Sequence, residues 1–173
     1  MSKKKIILET ALELFSRNGY STTSTAKIAK TAGVSEGLIF KHYENKNGLL
    51  EAILELGKEK GEALFNEIEK FTEPKEQLKA ILSIPLNIPN NDHAFWKLVY
   101  ALKWQADEYD QTMYIQIKQL VINIFKELEY AHPELEAEFI LMIIDGIASS
   151  ILLKGVKQKE EIANIIFEKY QLS

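Results

Sequence analysis

Apolar residues recur at intervals of three and four along most of the chain, and no stretch convincingly keeps the alternation that a half-buried strand needs. Ile7, Leu8, Ala11, Leu14 and Phe15 mark a first helix that stops at Asn18 and Gly19. Ser24 is placed to cap a short helix over 25–32, in which Ile28 and Ala29 face a neighbour while Lys27 and Lys30 stay in water. Gly33 suits the left-handed turn that redirects the chain, and Ser35 can cap a second short helix running to about Tyr43. Asn45 then starts a long helix carrying Leu49, Leu50, Ile53, Leu56, Leu64, Phe65 and Ile68. Pro74 opens a helix to about 84, and Pro85, Pro89 and the polar run 90–92 break the chain. Asp92 caps a helix to about Gln105. Others cover about 110–129, 133–154 and 158–170. The expectation is an all-α chain of about nine helices with no strand and no internal repeat.

Two short helices joined by a tight glycine turn form a helix-turn-helix, and that motif points to duplex DNA. A chain of 173 residues is long enough to bury a real core, as one compact unit or two subdomains, and 46% hydrophobic content argues against disorder. No cysteine is present, which excludes disulfides, a thiolate nucleophile and a cysteine-based zinc site, and fits a reducing compartment. The lysines near the N-terminus precede an apolar group that Glu9, Glu13 and Arg17 interrupt, so neither a signal peptide nor a membrane span is expected. A net charge of -4 is unusual for a DNA binder until it is divided along the chain. Residues 1–50 hold eight basic side chains against four acidic ones, a net +4, and the remainder holds thirteen against twenty-one, a net −8. A basic head on an acidic body brings DNA to one end.

The run ILETALELFSRNGY at 7–20, followed by TTSTAKIAKTAGVSEGLIFKHYENK at 22–46, resembles the DNA-binding domain of the tetracycline-repressor (TetR) family of bacterial transcription regulators. The likeness spans about 7–54, and IIDGIA at 143–148 looks like that family's penultimate helix. The resemblance implies a homodimer with two heads on a palindromic operator. It further implies a variable helical body in which a small molecule binds and releases the DNA, in the bacterial cytoplasm at the nucleoid. The division expected is a DNA-binding domain over 1–46 and an effector-binding and dimerisation domain over 47–173.

On a helix from Ser35, the 100° step gathers Glu36, Gly37, Phe40 and Lys41 on one face, while Leu38 and Ile39 turn under the motif. The first set is expected to face the bases. Lys41 could reach guanine O6 or N7, or a phosphate, and Glu36 could accept from cytosine N4 or remain a solvated acid. Glu36 replaces a basic residue often seen in the family, and Phe40 its usual tyrosine, which removes a phenolic hydroxyl and leaves an apolar contact with a thymine methyl. Phosphate contacts are expected from Ser24 and Thr25 beside a helix N-terminus. The resemblance adds Ser35, His42 and Lys46. Lys3, Lys4 and Lys5 could form a mobile arm on DNA or a solubilising tail.

In the body, residues 140–153 are apolar nearly all round, so both a core face and a partner face need covering. Gly146, Ser149 and Ser150, with Ile162 and Ile166 of the last helix, are candidates for a two-fold dimer interface. Trp96, Tyr100 and Trp104 form an i, i+4, i+8 stripe that, with Met113, Tyr114, Phe139 and Met142, could line a pocket for an apolar or aromatic effector or simply fill the core. Three scattered histidines, no glycine-rich phosphate loop and no nucleophile motif argue against an enzyme, a metal site or a cofactor. The competing reading is a helical apolar-ligand-binding or interaction module that never meets DNA.

Overall fold

The structure, a computed structural model, describes residues 2–103 and 112–172. Among them are nine α-helices: α1 Lys3–Asn18, α2 Thr25–Ala32, α3 Glu36–Tyr43, α4 Lys46–Ile68, α5 Pro74–Ser83, α6 His93–Lys103, α7 Thr112–Glu127, α8 Pro133–Lys154 and α9 Lys159–Lys169. Two single 3-10 turns, Pro85–Asn87 and Asn90–Asp92, lie between α5 and α6, where the prolines remove backbone donors and break the helical ladder. The described helices are each longer or shorter than expected by a few residues at most.

One correction concerns the N-terminus. Lys3, Lys4 and Lys5 are the first turn of α1, started by the Ser2 hydroxyl, which accepts from the Lys5 amide at 3.3 Å. The Tyr43 hydroxyl also donates to the Lys4 carbonyl at 2.8 Å, so these lysines are held in a helix and are not an extended arm.

Two compact units emerge, each with its own core. The first contains the described residues up to Lys60 together with 91–103. Its core joins Ile7, Ala11 and Phe15 of α1 to Ile28 of α2, Ile39 of α3, Leu49 and Ile53 of α4, and Phe95 and Leu98 of α6. Burying each such side chain is worth about 1.5–3 kcal/mol, enough to hold helices of eight residues that would be unstable alone. Gly57 has a packing reason: a Cβ there would lie 2.2 Å from Cζ of Phe95, so the bare backbone lets that ring settle on α4. Lys60 and Asp92 pair at 2.8 Å, joining α4 to the turn before α6.

The second unit takes in 61–90 and 112–172. Leu78, Ile81 and Leu82 of α5 pack with Val121, Ile124 and Phe125 of α7, Ala137 and Ile140 of α8, and Ile166 and Tyr170 at the C-terminal end. The Tyr170 hydroxyl donates to Glu136 at 3.2 Å, and burial together with that carboxylate holds its phenol well above the usual value.

Candidate nucleic-acid interface

The helix-turn-helix is built from three local devices. Ser24 is extended at φ -94°, and its hydroxyl accepts from the Lys27 amide at 3.2 Å, satisfying one of the donors that a helix N-terminus leaves unpaired. Gly33 is left-handed at φ 66°, and the Val34 amide closes back onto the Ala29 carbonyl at 3.0 Å, ending α2 and starting the turn. Ser35 also occupies an N-cap position, yet its hydroxyl makes no bond to α3. Thr23, which the sequence did not single out, is buried at the α1–α2 corner and donates to the Gly19 carbonyl at 2.9 Å. Two adjacent threonines after a glycine are the only signal that could have marked it.

On α3, Ile39 and Tyr43 are buried in the first core, with Leu38 packed beside them. Gly37 and Lys41 are exposed and Phe40 is 46% exposed, away from the buried Ile39 and Tyr43, whereas Glu36, seven residues before Tyr43 and so on its side of the helix, is half-buried. Around Gly37 there is nothing within 4 Å of the place a Cβ would occupy. Glu36 is also bound within the motif, where its carboxylate accepts from the Thr25 hydroxyl at 2.6 Å. That bond, from the first residue of α2 to the first residue of α3, had no signal in the sequence.

The flanking residues are set from below. Burial raises the phenol of Tyr43, and the His42 ring stands edge-on beside it at 6.3 Å. Lys46 lies over the Tyr20 ring at 4.3 Å and donates to the Tyr20 and Ser21 carbonyls at 3.0 and 3.4 Å, which ties the α1–α2 loop to the start of α4. Burial, and secondarily the charge of Glu51, raises the Tyr20 phenol. Lys27 and Lys30 of α2 are exposed, as their spacing predicts.

The remaining candidates are dispersed. Trp96 and Tyr100 are half-buried in α6 of the first unit, with Trp96 edge-on to Phe95 at 5.2 Å. Tyr114 of α7 donates to Glu138 of α8 at 3.1 Å in the second unit. Trp104 and the Met113 side chain lie outside the described residues. Phe139 and Met142 are 54% and 60% exposed on α8. A groove of about 360 Å³ on the second unit is lined by Ile143, Gly146, Ser150 and Ile162 among others, so it meets three of the dimer candidates and none of the effector candidates. Ser149 donates to the Asp145 carbonyl of its own helix. Ile166 turns into the core of its own chain, and its neighbour Ile165 is exposed. Among the described residues no cluster of metal-ligating side chains occurs, and no helix is long and apolar enough to cross a membrane.

Residues 7–53 match the model of the family described as bacterial regulatory proteins, tetR family. The HTH-type transcriptional regulator BetI of Yersinia pestis is 26% identical, covering 97% of this chain and 90% of that protein. An uncharacterised HTH-type regulator of Bacillus subtilis, YvkB, is 48% identical over 50 residues, covering 29% of this chain and 26% of that one. The crystal structure of AibR in complex with isovaleryl coenzyme A and operator DNA shares the fold at a TM-score of 0.77 with 21% identity, covering 95% of this chain and 96% of that one. Residues 7–53 thus carry the head that the tetR family of bacterial regulatory proteins shares, and the chain resembles the regulator BetI along nearly its whole length.

Proposed function

We propose that the chain is a sequence-specific DNA-binding transcription regulator, a repressor that sits as a homodimer on a palindromic operator and is released by a small apolar or aromatic effector. It is a regulator rather than an enzyme, and it acts at the nucleoid in a bacterial cytoplasm. The observation that carries DNA binding is the polarity of α3, whose Ile39 and Tyr43 are buried while Gly37, Phe40 and Lys41 are exposed. An exposed phenylalanine beside a glycine and a lysine has no use in water, but it suits the floor of a major groove, where base edges and thymine methyls are met. In this reading Glu36, Gly37, Phe40 and Lys41 touch bases. Ser24, Ser35, His42, Lys46 and the first turn of α2 at Thr25 meet phosphates, and residues 1–46 are the reading head.

Residues 47–173 then supply dimerisation and sensing. The exposed residues Leu135, Phe139, Met142, Gly146 and Leu153 of α8 follow 4-3-4-7 spacing, a seam two helices can share across a two-fold axis, with Ser149, Ser150 and Ile162 at its edge. Phe139 and Met142 fit that seam better than a pocket. Trp96 and Tyr100 in the first unit and, separately, Tyr114 in the second are left as effector candidates, with Trp104 and the Met113 side chain outside the described residues. AibR, crystallised with both an acyl coenzyme A and operator DNA, supports a ligand-responsive mode of action. Leu49 and Ile53 of α4 share the core that holds α1 to α3, so a tilt of the first half of α4 would be felt by α3. Selection of bound duplexes from a random pool tests the reading. A two-fold symmetric site, weakened by Lys41→Ala and by salt, is expected, and no enrichment by dimeric, ligand-free protein would refute it.

A further inference from the structure

The bond between Thr25 and Glu36 assigns the two residues different work at the DNA surface. A hydroxyl carries one proton, and the Thr25 proton is committed to Glu36 at 2.6 Å, within the short range typical of a hydroxyl on a carboxylate. While the bond holds, the Thr25 side chain offers only lone pairs, and a phosphate oxygen, itself an acceptor, gains nothing from it. An ionised carboxylate is likewise an acceptor only, with two oxygens and about four lone-pair sites. With Oε1 held by Thr25, Oε2 is left as the carboxylate's second acceptor at the N-terminal end of α3, one residue before Gly37, where a Cβ would meet nothing within 4 Å. A carboxylate beside the DNA backbone is repelled by phosphates, so the duplex groups that favour it are base amino groups. Cytosine shows N4–H in the major groove, and its own edge carries no acceptor beside that donor. Adenine pairs its N6–H with the acceptor N7, which opposes a carboxylate.

We infer that Glu36 is a specificity-determining residue that demands a cytosine in each operator half-site, and that Thr25 is a positioning residue that fixes the carboxylate for this contact. The inference rests on the DNA-binding reading above. It explains why an acid is tolerated in a basic head: pinned by Thr25, it penalises every sequence that does not offer it a donor.

The test is duplex selection and competition binding with the full-length protein, comparing wild type with Glu36→Gln, Thr25→Val and Thr25→Ser, with melting temperatures checking that all are folded. Wild type is expected to enrich a symmetric site with one cytosine per half-site whose replacement weakens binding on the order of tenfold. Glu36→Gln should shift preference at that pair alone toward adenine, whose N6 and N7 an amide can bind together. Thr25→Val should cut discrimination at the same pair to a few-fold, and Thr25→Ser should restore it. Variants that lose affinity equally for all sequences, or that select the same base as wild type at every pair, would overturn this inference and leave DNA binding intact. Failure of the wild type to enrich any duplex would overturn both.

Discussion

At the scale of single residues, the two serines of the helix-turn-helix differ in whether they cap the helix they precede. Ser24 bonds its helix and Ser35 does not, although both sit at N-cap positions with extended backbones. Ser24→Ala should therefore lower unfolding stability by about 1 kcal/mol, with Ser35→Ala costing clearly less and acting mainly on DNA affinity. Denaturant titration beside a binding curve checks both. Glycine divides in the same way. A Cβ on Gly48 would lie 2.0 Å from the Tyr43 carbonyl oxygen, so α4 can start this close to the end of α3 only with no side chain there. Gly37 faces open space, and Gly37→Ala should leave the fold intact and raise helix stability by up to about 1 kcal/mol. If the backbone at Gly37 meets DNA closely, that same variant binds its operator less tightly. Unchanged affinity would show that the glycine is only tolerated.

At the scale of helices, α8 carries two apolar faces. Ile140 and Ile151 are buried in its own chain, while Met142 and Leu153, at 60% and 64% exposure, are not. Met142→Glu removes little internal packing, so the proposed seam predicts a folded protein whose sedimentation mass falls from two chains to one at micromolar concentration. Operator affinity should fall with it, because a single head reads only one half-site. A Met142→Glu protein that stays dimeric would exclude this face. The periodicity of residues 140–153 made two faces legible, and it left open which residue pointed where. Ile162, Ile165 and Ile166 are apolar alike, and only packing into the core of the second unit, with α5 beside α9, decides that Ile166 is core and Ile165 is surface.

Across the whole molecule, charge is divided between a net +4 over residues 1–50 and a net −8 beyond them. Duplex binding should weaken steeply with salt, because each phosphate contact releases counterions, and an acidic body adds nothing to hold nonspecific DNA. If Lys41 touches a phosphate, Lys41→Ala lowers the slope of log affinity against log salt by about one. If it reads guanine, the slope changes less and discrimination at one base pair relaxes. Affinity measured over a salt series on matched and mismatched duplexes separates the two outcomes. The distribution of charge was readable directly, since it needs no contact to be known.

The sequence by itself determined the helices, the turn and the exposure of Gly37, Phe40 and Lys41 on α3. Caps such as Ser24 and Asn45, the left-handed Gly33 and the prolines at 74, 85, 89 and 133 act on backbone groups within about four residues, so their effects are written locally. The family likeness over the head rested on the same local run. Tertiary structure decided the rest. That α6 packs on α1, some eighty residues earlier, depends on shape complementarity between faces that many apolar helices could offer. That Lys46 binds the Tyr20 carbonyl, that Gly48 lies under the end of α3 and that Thr25 holds Glu36 are all consequences of how the helices cross. Each relation joins residues whose separation in sequence carries no fixed geometry until the core has closed around them.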